Sequence, residues 1–337
     1  SLGRGFTVQQ SGATGIVVTG PKARAAERAR IMRLVTQLAL IRFYDWEANV
    51  LTPKGKTAAS QLLTRDRSAV SLSQGANYGA GEPGAGSMPL YAAVKLAAKQ
   101  PRAQASPPLS RLGPEYFVFG APGSPACARV AAADHTRPVP GTHCLLAGSI
   151  DLGSDARLHQ ALAEAAARFP SGRIPGRTEV VVVPQGTTVL QAEQLHAAAP
   201  VPFDSPTAQF FVLRDRAALN GNQITHPTAS TDQGGEPAVN FGFTGTGRSA
   251  FQRVTKQVAH RGLNVSLEGN ILNQHFAVAL DNQIVTVPQI DFRQYPDGVI
   301  TESTGADVTG GLTPQTAKDL ATELRYGALP LSVRVLP

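Results

Sequence analysis

No run of 18 or more apolar residues occurs in this 337-residue chain, so no part of it reads as a membrane-spanning helix. Catalytic signatures are missing too. There is no G-x-S-x-G, H-E-x-x-H or C-x-x-C, which removes the sequence-level case for a serine hydrolase, a zinc protease or a thiol oxidoreductase. The seven histidines are scattered, and no pair of carboxylates stands at helical spacing beside one. Aromatics are only 6% of the chain, and no basic stripe interleaves with stacking residues, so nucleic acid is not an expected partner. The opening S-L-G-R-G-F-T-V lacks the basic-then-apolar layout of a signal peptide. Charged residues make up 16%, which argues against global disorder, and 42% hydrophobic content is ample for a packed core.

What is present is unevenly placed. Residues 1–111 hold 15 Lys/Arg against 5 Asp/Glu, whereas 112–337 hold 16 against 19. A basic half of this kind suits an anionic membrane surface or acidic partners, and equally a solvated helix face from Lys22 to Arg33. Glycine (33) and proline (25) are frequent enough to require long loops in places. Cys127 and Cys144 are the only cysteines. They are open to three readings: a disulfide contributing roughly 3 kcal/mol by loop closure, two buried thiols, or a metal site with His135 and His143. The spacing C-x7-H-x7-H-C does not match the short pairs of ordinary zinc sites.

Periodicity predicts an α+β chain. F-T-V-Q-Q and G-I-V-V-T flank a turn; Pro21 then starts a helix carrying Ile31, Leu34, Val35 and Leu38, and L-I-R-F-Y-D-W reads as the next strand. Residues 52–88 read as a long loop or insertion, followed by a helix from Pro89 to Lys99 and a Pro/Ser linker over 101–114. E-Y-F-V-F is a strand, 121–150 an irregular stretch, 155–168 a helix, 179–184 a buried strand and 209–214 a further strand. From Leu219 the pattern predicts a compact α+β unit. P-A-V-N-F-G-F alternates on one face, Thr246 caps a helix ending at Gly262, and F-A-V-A-L faces I-V-T-V-P-Q-I across L-D-N-Q. A last helix runs over 313–326 with Thr313 as cap, and Gly327 and Pro330 close it.

Two glycine patterns attract nucleotide readings. G-F-T-G-T-G-R-S at 242–249 has Walker spacing, but Arg248 stands in the lysine position and the preceding strand alternates as an antiparallel strand does, so a strand-to-helix turn is expected. G-A-G-E-P-G at 79–84 lies in the expected loop with no strand before it. No cofactor is expected, and Asp281-Asn282 reads as a hairpin turn instead of a catalytic pair.

Several ordered blocks carry a resemblance. I-V-V-T-G-P at 16–21 followed by T-Q-L-A-L-I-R-F-Y-D-W-E at 36–47, L-N-G-N-Q-I at 219–224, G-E-P-A-V-N-F-G-F-T at 235–244, V-A-L-D-N-Q-I-V-T-V-P-Q-I at 278–290, G-G-L-T-P-Q-T-A-K-D-L-A at 310–321 and the closing D-L-A-T-E-L-R-Y-G-A-L-P at 319–330 resemble the first large extracytoplasmic domain of SecD. SecD is the membrane-embedded accessory subunit of the Sec protein-export machinery, and the actinobacterial branch is most similar in style. Asn220 departs from the family's usual Thr. The resemblance implies a two-part α+β domain. A ferredoxin-like antiparallel base, residues 1–218 with 324–337 and a loop or insertion over 52–114, carries an inserted α+β head, 219–323. It also implies a cell-membrane protein with this domain on the extracytoplasmic side and a transmembrane helix shortly beyond Pro337. Its partners would be SecF, the SecYEG channel and unfolded precursor proteins, with export completed by the proton gradient. The family's proton-handling residues lie in membrane helices, so this chain is expected not to be an enzyme. Short connections near Arg214–Leu219 and Leu324–Leu329, with Arg214, Leu219, Leu324 and Gly327 as candidate residues, suit a head-to-base hinge. A stand-alone cell-envelope binding or adhesion module is the rival class.

Overall fold

The computed structural model describes residues 7–11, 15–19, 40–74, 86–106, 114–133, 140–148, 157–192, 203–232, 234–267, 270–301, 305–309 and 312–326. The expected helix from Pro21 to Leu38, the G-A-G-E-P-G segment, His135 and Gly327 lie outside them.

β1 (Thr7–Ser11) and β2 (Gly15–Thr19) form the expected hairpin. The larger framework is a central sheet with strand order β10-β3-β13-β14-β8-β9-β4. It comprises β3 (Ile41–Asp45), β4 (Met88–Pro89), β8 (Thr187–Ala192), β9 (Gln209–Arg214), β10 (Leu219–Asn220), β13 (Gln274–Leu280) and β14 (Gln283–Thr286), with β15 (Gln289–Ile290) on β13. All pairings in it are antiparallel except β14 with β8. Period-two alternation gives each face its own core. Tyr44, Leu190, Phe211, Leu213, Ala277 and Ala279 point to one face. There they meet Trp46 of α1 (Trp46–Asn49), Ala58 and Leu62 of α2 (Ala58–Leu62), and Ala69 and Leu72 of α3 (Arg67–Gln74).

The opposite face is divided between two neighbours. At the β3/β13 end, Ile41, Phe43 and Val278 pack under a small sheet of order β11-β12-β16: β11 (Ile224–Thr231), β12 (Pro237–Phe243) and β16 (Ala306–Thr309). Phe251 and Val254 of the long helix Gly245–Val265 and Ala317, Leu320, Ala321 and Leu324 of the helix Pro314–Tyr326 complete that core. At the β8/β9 end, Val189, Phe210 and Val212 pack on α4 (Leu90–Ala98) and on a third sheet of order β6-β5-β7: β5 (Glu115–Gly120), β6 (Cys144–Gly148) and β7 (Thr178–Val183). The other face of that sheet is covered by α5 (Pro125–Ala133) and α6 (Arg157–Ala167) through Val118, Leu146, Ala161 and Ala165. The helices Gly245–Val265 and Pro314–Tyr326 are α7 and α8. Among the described residues, no helix is long and apolar enough to cross a membrane.

The α+β expectation holds, and several local ones are corrected. Residues 52–88 are not a plain loop: α2 and α3 form there because Ala58, Leu62, Ala69 and Leu72 find the core of the central sheet. The stretch 121–150, expected to be irregular, contains α5 and β6: the alanine-rich run from Pro125 favours a helix, and packing with Val118 and Leu146 fixes both elements. β7 is half-buried instead of buried, with Val180 and Val182 outward, and β8 escapes a hydrophobicity pattern because its polar Thr187, Thr188 and Gln191 are themselves buried. The long-helix cap is Thr244, whose Oγ1 accepts the Gly247 N–H at 3.0 Å, in place of Thr246. Gly262 sits inside that helix, where a Cβ would meet Phe292 at 3.0 Å, so glycine there serves packing and not termination. The expected boundary at 218/219 does not coincide with a break. Leu219 pairs with Phe43, and β13 runs between β3 and β14 in the central sheet, so a large part of the expected head is continuous with the base.

Candidate functional site

Chemistry concentrates first at the expected hinge. β3 carries Arg42 and Tyr44 on one face because strand side chains alternate, and both are fully buried. Just beyond β9, Asp215 turns back among them. Its Oδ1 accepts from Tyr44 OH at 2.7 Å and from Arg42 Nη1 at 3.2 Å, and its Oδ2 accepts the Ser106 N–H at 3.3 Å. Ser106 Oγ donates to the Asp215 carbonyl at 2.9 Å, and the Ala217 N–H donates to Ser106 Oγ. Arg42 Nη2 reaches the Asp281 carbonyl at 2.8 Å, and Asp281 Oδ1 accepts the Leu40 N–H at 2.9 Å. Burial opposes the Arg42 charge, but Tyr44, Asp215, Glu115 and Asp281 outweigh it, so its pKa lies above the ordinary arginine value. Burial also pushes the Tyr44 hydroxyl well up, which keeps it a neutral donor to Asp215.

The hinge residues expected from the sequence fall on this joint unevenly. Arg214 ends β9 opposite Thr187, Leu219 is 1% exposed in β10, and Leu324 is 4% exposed in the core under the small sheet. The connection 214–219 is short as expected, and Asp215 ties it to two separate segments, β3 and the stretch ending at Ser106. Asp215 itself carries no sequence signal, since its partners stand 109 to 173 residues away.

A second charged network lies at the end of β3. Asp45 caps α1 through the Ala48 N–H and holds Arg261 of α7 by Nη1 at 3.0 Å and by Nη2. Burial raises the Asp45 pKa against the opposing pull of Arg261. Glu47, fully buried, accepts from the His275 N–H at 3.0 Å and from Ser73 Oγ at 3.0 Å, and pairs with His275 Nδ1 at 2.7 Å. The D-W-E block thus fastens α1, α3, α7 and β13 together, a structural role for its two carboxylates.

Cys127 and Cys144 are joined by a disulfide, which ties α5 to the start of β6. Among the described residues, no group of three or more His, Cys, Asp or Glu could hold a metal ion. The Walker-like segment is a turn: β12 is antiparallel to both neighbours, and Arg248 Nη1 binds the Phe243 carbonyl at 3.0 Å. Gly247 is there because a Cβ would stand 2.3 Å from the Gln223 carbonyl oxygen.

The surface offers a different kind of site. Leu263 (60% exposed), Leu267 (63%) and Ile271 (49%) crowd the C-terminal end of α7, and Leu63 (71%) sits on the turn that Arg65 ties to that end by donating to the Val265 carbonyl at 2.9 Å. Leu263 falls off the buried stripe of α7, which runs through Phe251, Val254, Val258, Gly262 and Val265, and Leu267 and Ile271 follow the end of that helix. Apolar surface gathered in this way marks contact with another apolar chain or surface.

Fold and surface therefore define a mixed α+β domain with buried ion pairs at its joints and an exposed aliphatic end. Residues 192–331 match the family model described as SecDF, P1 head subdomain. The chain is 29% identical over 127 residues to the protein translocase subunit SecD of Rickettsia typhi, which covers 38% of this chain and 21% of that protein. With SecD of Acetobacter pasteurianus it shares 32% identity over 158 residues, 44% of this chain and 26% of the relative. The chain thus spans about a fifth to a quarter of the length of these relatives. A solved structure titled "Structure and function of a membrane component SecDF that enhances protein export" aligns with 99% of this chain and 86% of its own at 17% identity and a TM-score of 0.37.

Proposed function

We propose that this chain is an extracytoplasmic domain of a SecD subunit, of the actinobacterial type in the style of its blocks, and that it holds precursor polypeptides as they leave the export channel. The single observation that carries this reading is the match of residues 192–331 to the head subdomain model, beside which stand the matches to SecD relatives over 127 and 158 residues. In this reading the domain catalyses nothing and works beside SecF and SecYEG, while the proton gradient acts through membrane helices elsewhere in the protein. The aliphatic end of α7, with Leu63, Leu263, Leu267 and Ile271, supplies sequence-tolerant contact for unfolded chains, which expose the apolar side chains that folded proteins bury. The swinging head is the unit of Ile224–Phe243 and Ala306–Tyr326. A swing about 214–219 has to part β10 from β3 as well as release Asp215 from Arg42, Tyr44 and Ser106, so both sets of contacts resist the stroke.

Fluorescence anisotropy with one labelled protein in two forms tests the reading. Reduced, carboxymethylated α-lactalbumin binds and native α-lactalbumin does not, and Leu263→Asp with Leu267→Asp weakens binding several-fold. Equal affinity for the two forms, or none for the unfolded one, overturns it.

A further inference from the structure

β7 is an open edge of a kind that folded proteins usually guard. The Ala121 N–H donates to the Arg177 carbonyl at 3.2 Å, one step beyond the pair Gly120 and Thr178 in the β5–β7 register. In an antiparallel ladder bonded pairs alternate, so Glu179, Val181 and Val183 spend their main-chain groups on Phe119, Phe117 and Glu115. The N–H and C=O groups of Thr178, Val180 and Val182 consequently point away from β5. Among the described residues, no strand pairs with that side.

Edges are normally blunted by lysine, proline, a bulge or a covering element. β6, at the other edge of the same sheet, is guarded: Leu146 is an extra residue in its register with β5, and Cys144 is locked to Cys127. β7 reads T-E-V-V-V-V, with no lysine, proline or bulge inside it, and its one charge, Glu179, is taken up by Tyr91 and Lys95. It is also held rigid from beneath. Glu179 takes Tyr91 OH and Lys95 Nζ, each at 2.7 Å, and Val181 and Val183 are buried. Val180 and Val182 are 38% and 40% exposed, beside their register partners Val118 and Tyr116.

We infer that β7 is a pairing site for an extended segment of unfolded polypeptide, which adds as a fourth strand to the sheet β6-β5-β7. Three outward donors and three outward acceptors at two-residue spacing are complementary to an extended main chain. Main-chain bonding is indifferent to client side chains, while the Val180–Val182 strip favours β-branched and aromatic ones and the ladder excludes proline. The assignment rests on the client-holding reading above, and it adds a site outside residues 192–331.

Amide-resolved hydrogen exchange on the 337-residue chain, with and without reduced, carboxymethylated α-lactalbumin, tests it. The Thr178, Val180 and Val182 amides should exchange rapidly in the free protein and at least tenfold more slowly with client, while Val181 is protected throughout. Val180→Pro removes one outward donor without touching the β5 ladder, and Val180→Lys with Val182→Lys keeps every donor but charges the edge. Each should weaken client affinity severalfold with unchanged circular dichroism. Client binding without new protection at those three amides overturns the site and leaves the client-holding reading standing. No client binding by the unaltered chain overturns both. Protection that appears with protein concentration alone assigns the edge to a second copy and overturns the client assignment.

Discussion

Replacing Arg42 by leucine should cost about 3–5 kcal/mol, because it strands a charge in the joint. Asp215 is 3% exposed, and Arg42, fully buried, is its only cationic partner among the described ion pairs. Removing one member of such a pair leaves the other desolvated without compensation, which is the origin of that figure. The guanidinium also lies 5.7 Å from the Tyr44 ring centroid, and its loss removes a cation–π contact worth about 2 kcal/mol when desolvated. The measurement is urea unfolding followed by the fluorescence of Trp46, the single tryptophan. It is fully buried one residue beyond β3 and packs edge-on against Phe211 at 5.0 Å. The double variant Arg42→Leu with Asp215→Leu should recover most of the loss, since apolar replacement of a whole buried pair is often neutral. An Arg42→Leu variant within about 1 kcal/mol of the unaltered protein, or a double variant as damaged as the sum of the singles, refutes the claim that charge pairing holds the joint.

Reduction of the Cys127–Cys144 bond should lower stability by about 3 kcal/mol for its separation of 17 residues, read from urea midpoints with and without reductant. Asp66, hydrogen-bonded to Lys54 and Ser68, should titrate at about 2, against 3.8 for the free side chain, in a carboxyl NMR titration. Its folded pKa is depressed, so the stability it contributes is complete above about pH 4 and is lost as pH falls toward 2. Gly247→Ala should destabilise by about 1–3 kcal/mol in the same unfolding assay, because the new Cβ meets the Gln223 carbonyl.

Local patterns carry much of the fold. The alternation in P-A-V-N-F-G-F, the Asp281-Asn282 turn and the helix beginning after Thr313 each depend on neighbours a few residues away, and β12, the β13–β14 hairpin and α8 stand where those patterns put them. What escapes a reading of the sequence depends on distant partners. β8 buries Thr187, Thr188 and Gln191, which a hydrophobicity pattern scores as exposed, and α2 and α3 are too short to show a period. Asp215 cannot be linked to Arg42 across 173 residues, although a charged side chain in the strand I-R-F-Y-D demands some partner. That the expected head boundary crosses a continuous sheet is hidden for a related reason. The block V-A-L-D-N-Q-I marks a hairpin, but nothing local says that its first strand joins β3 and its second joins β8. At the surface, Leu263 is legible as an aliphatic off the α7 stripe, whereas the freedom of the β7 edge requires the register.

Contact with a polypeptide in transit is the core of the proposed function, and it can be trapped in the cell. A photo-crosslinking amino acid is placed at Leu267 in the complete natural protein, and a secreted precursor is arrested midway through export. The expected result is an adduct with the arrested precursor that is absent when the probe replaces buried Leu272, and that disappears once the precursor is released. Equal labelling from both positions, or no adduct from Leu267 during arrest, contradicts the proposed contact.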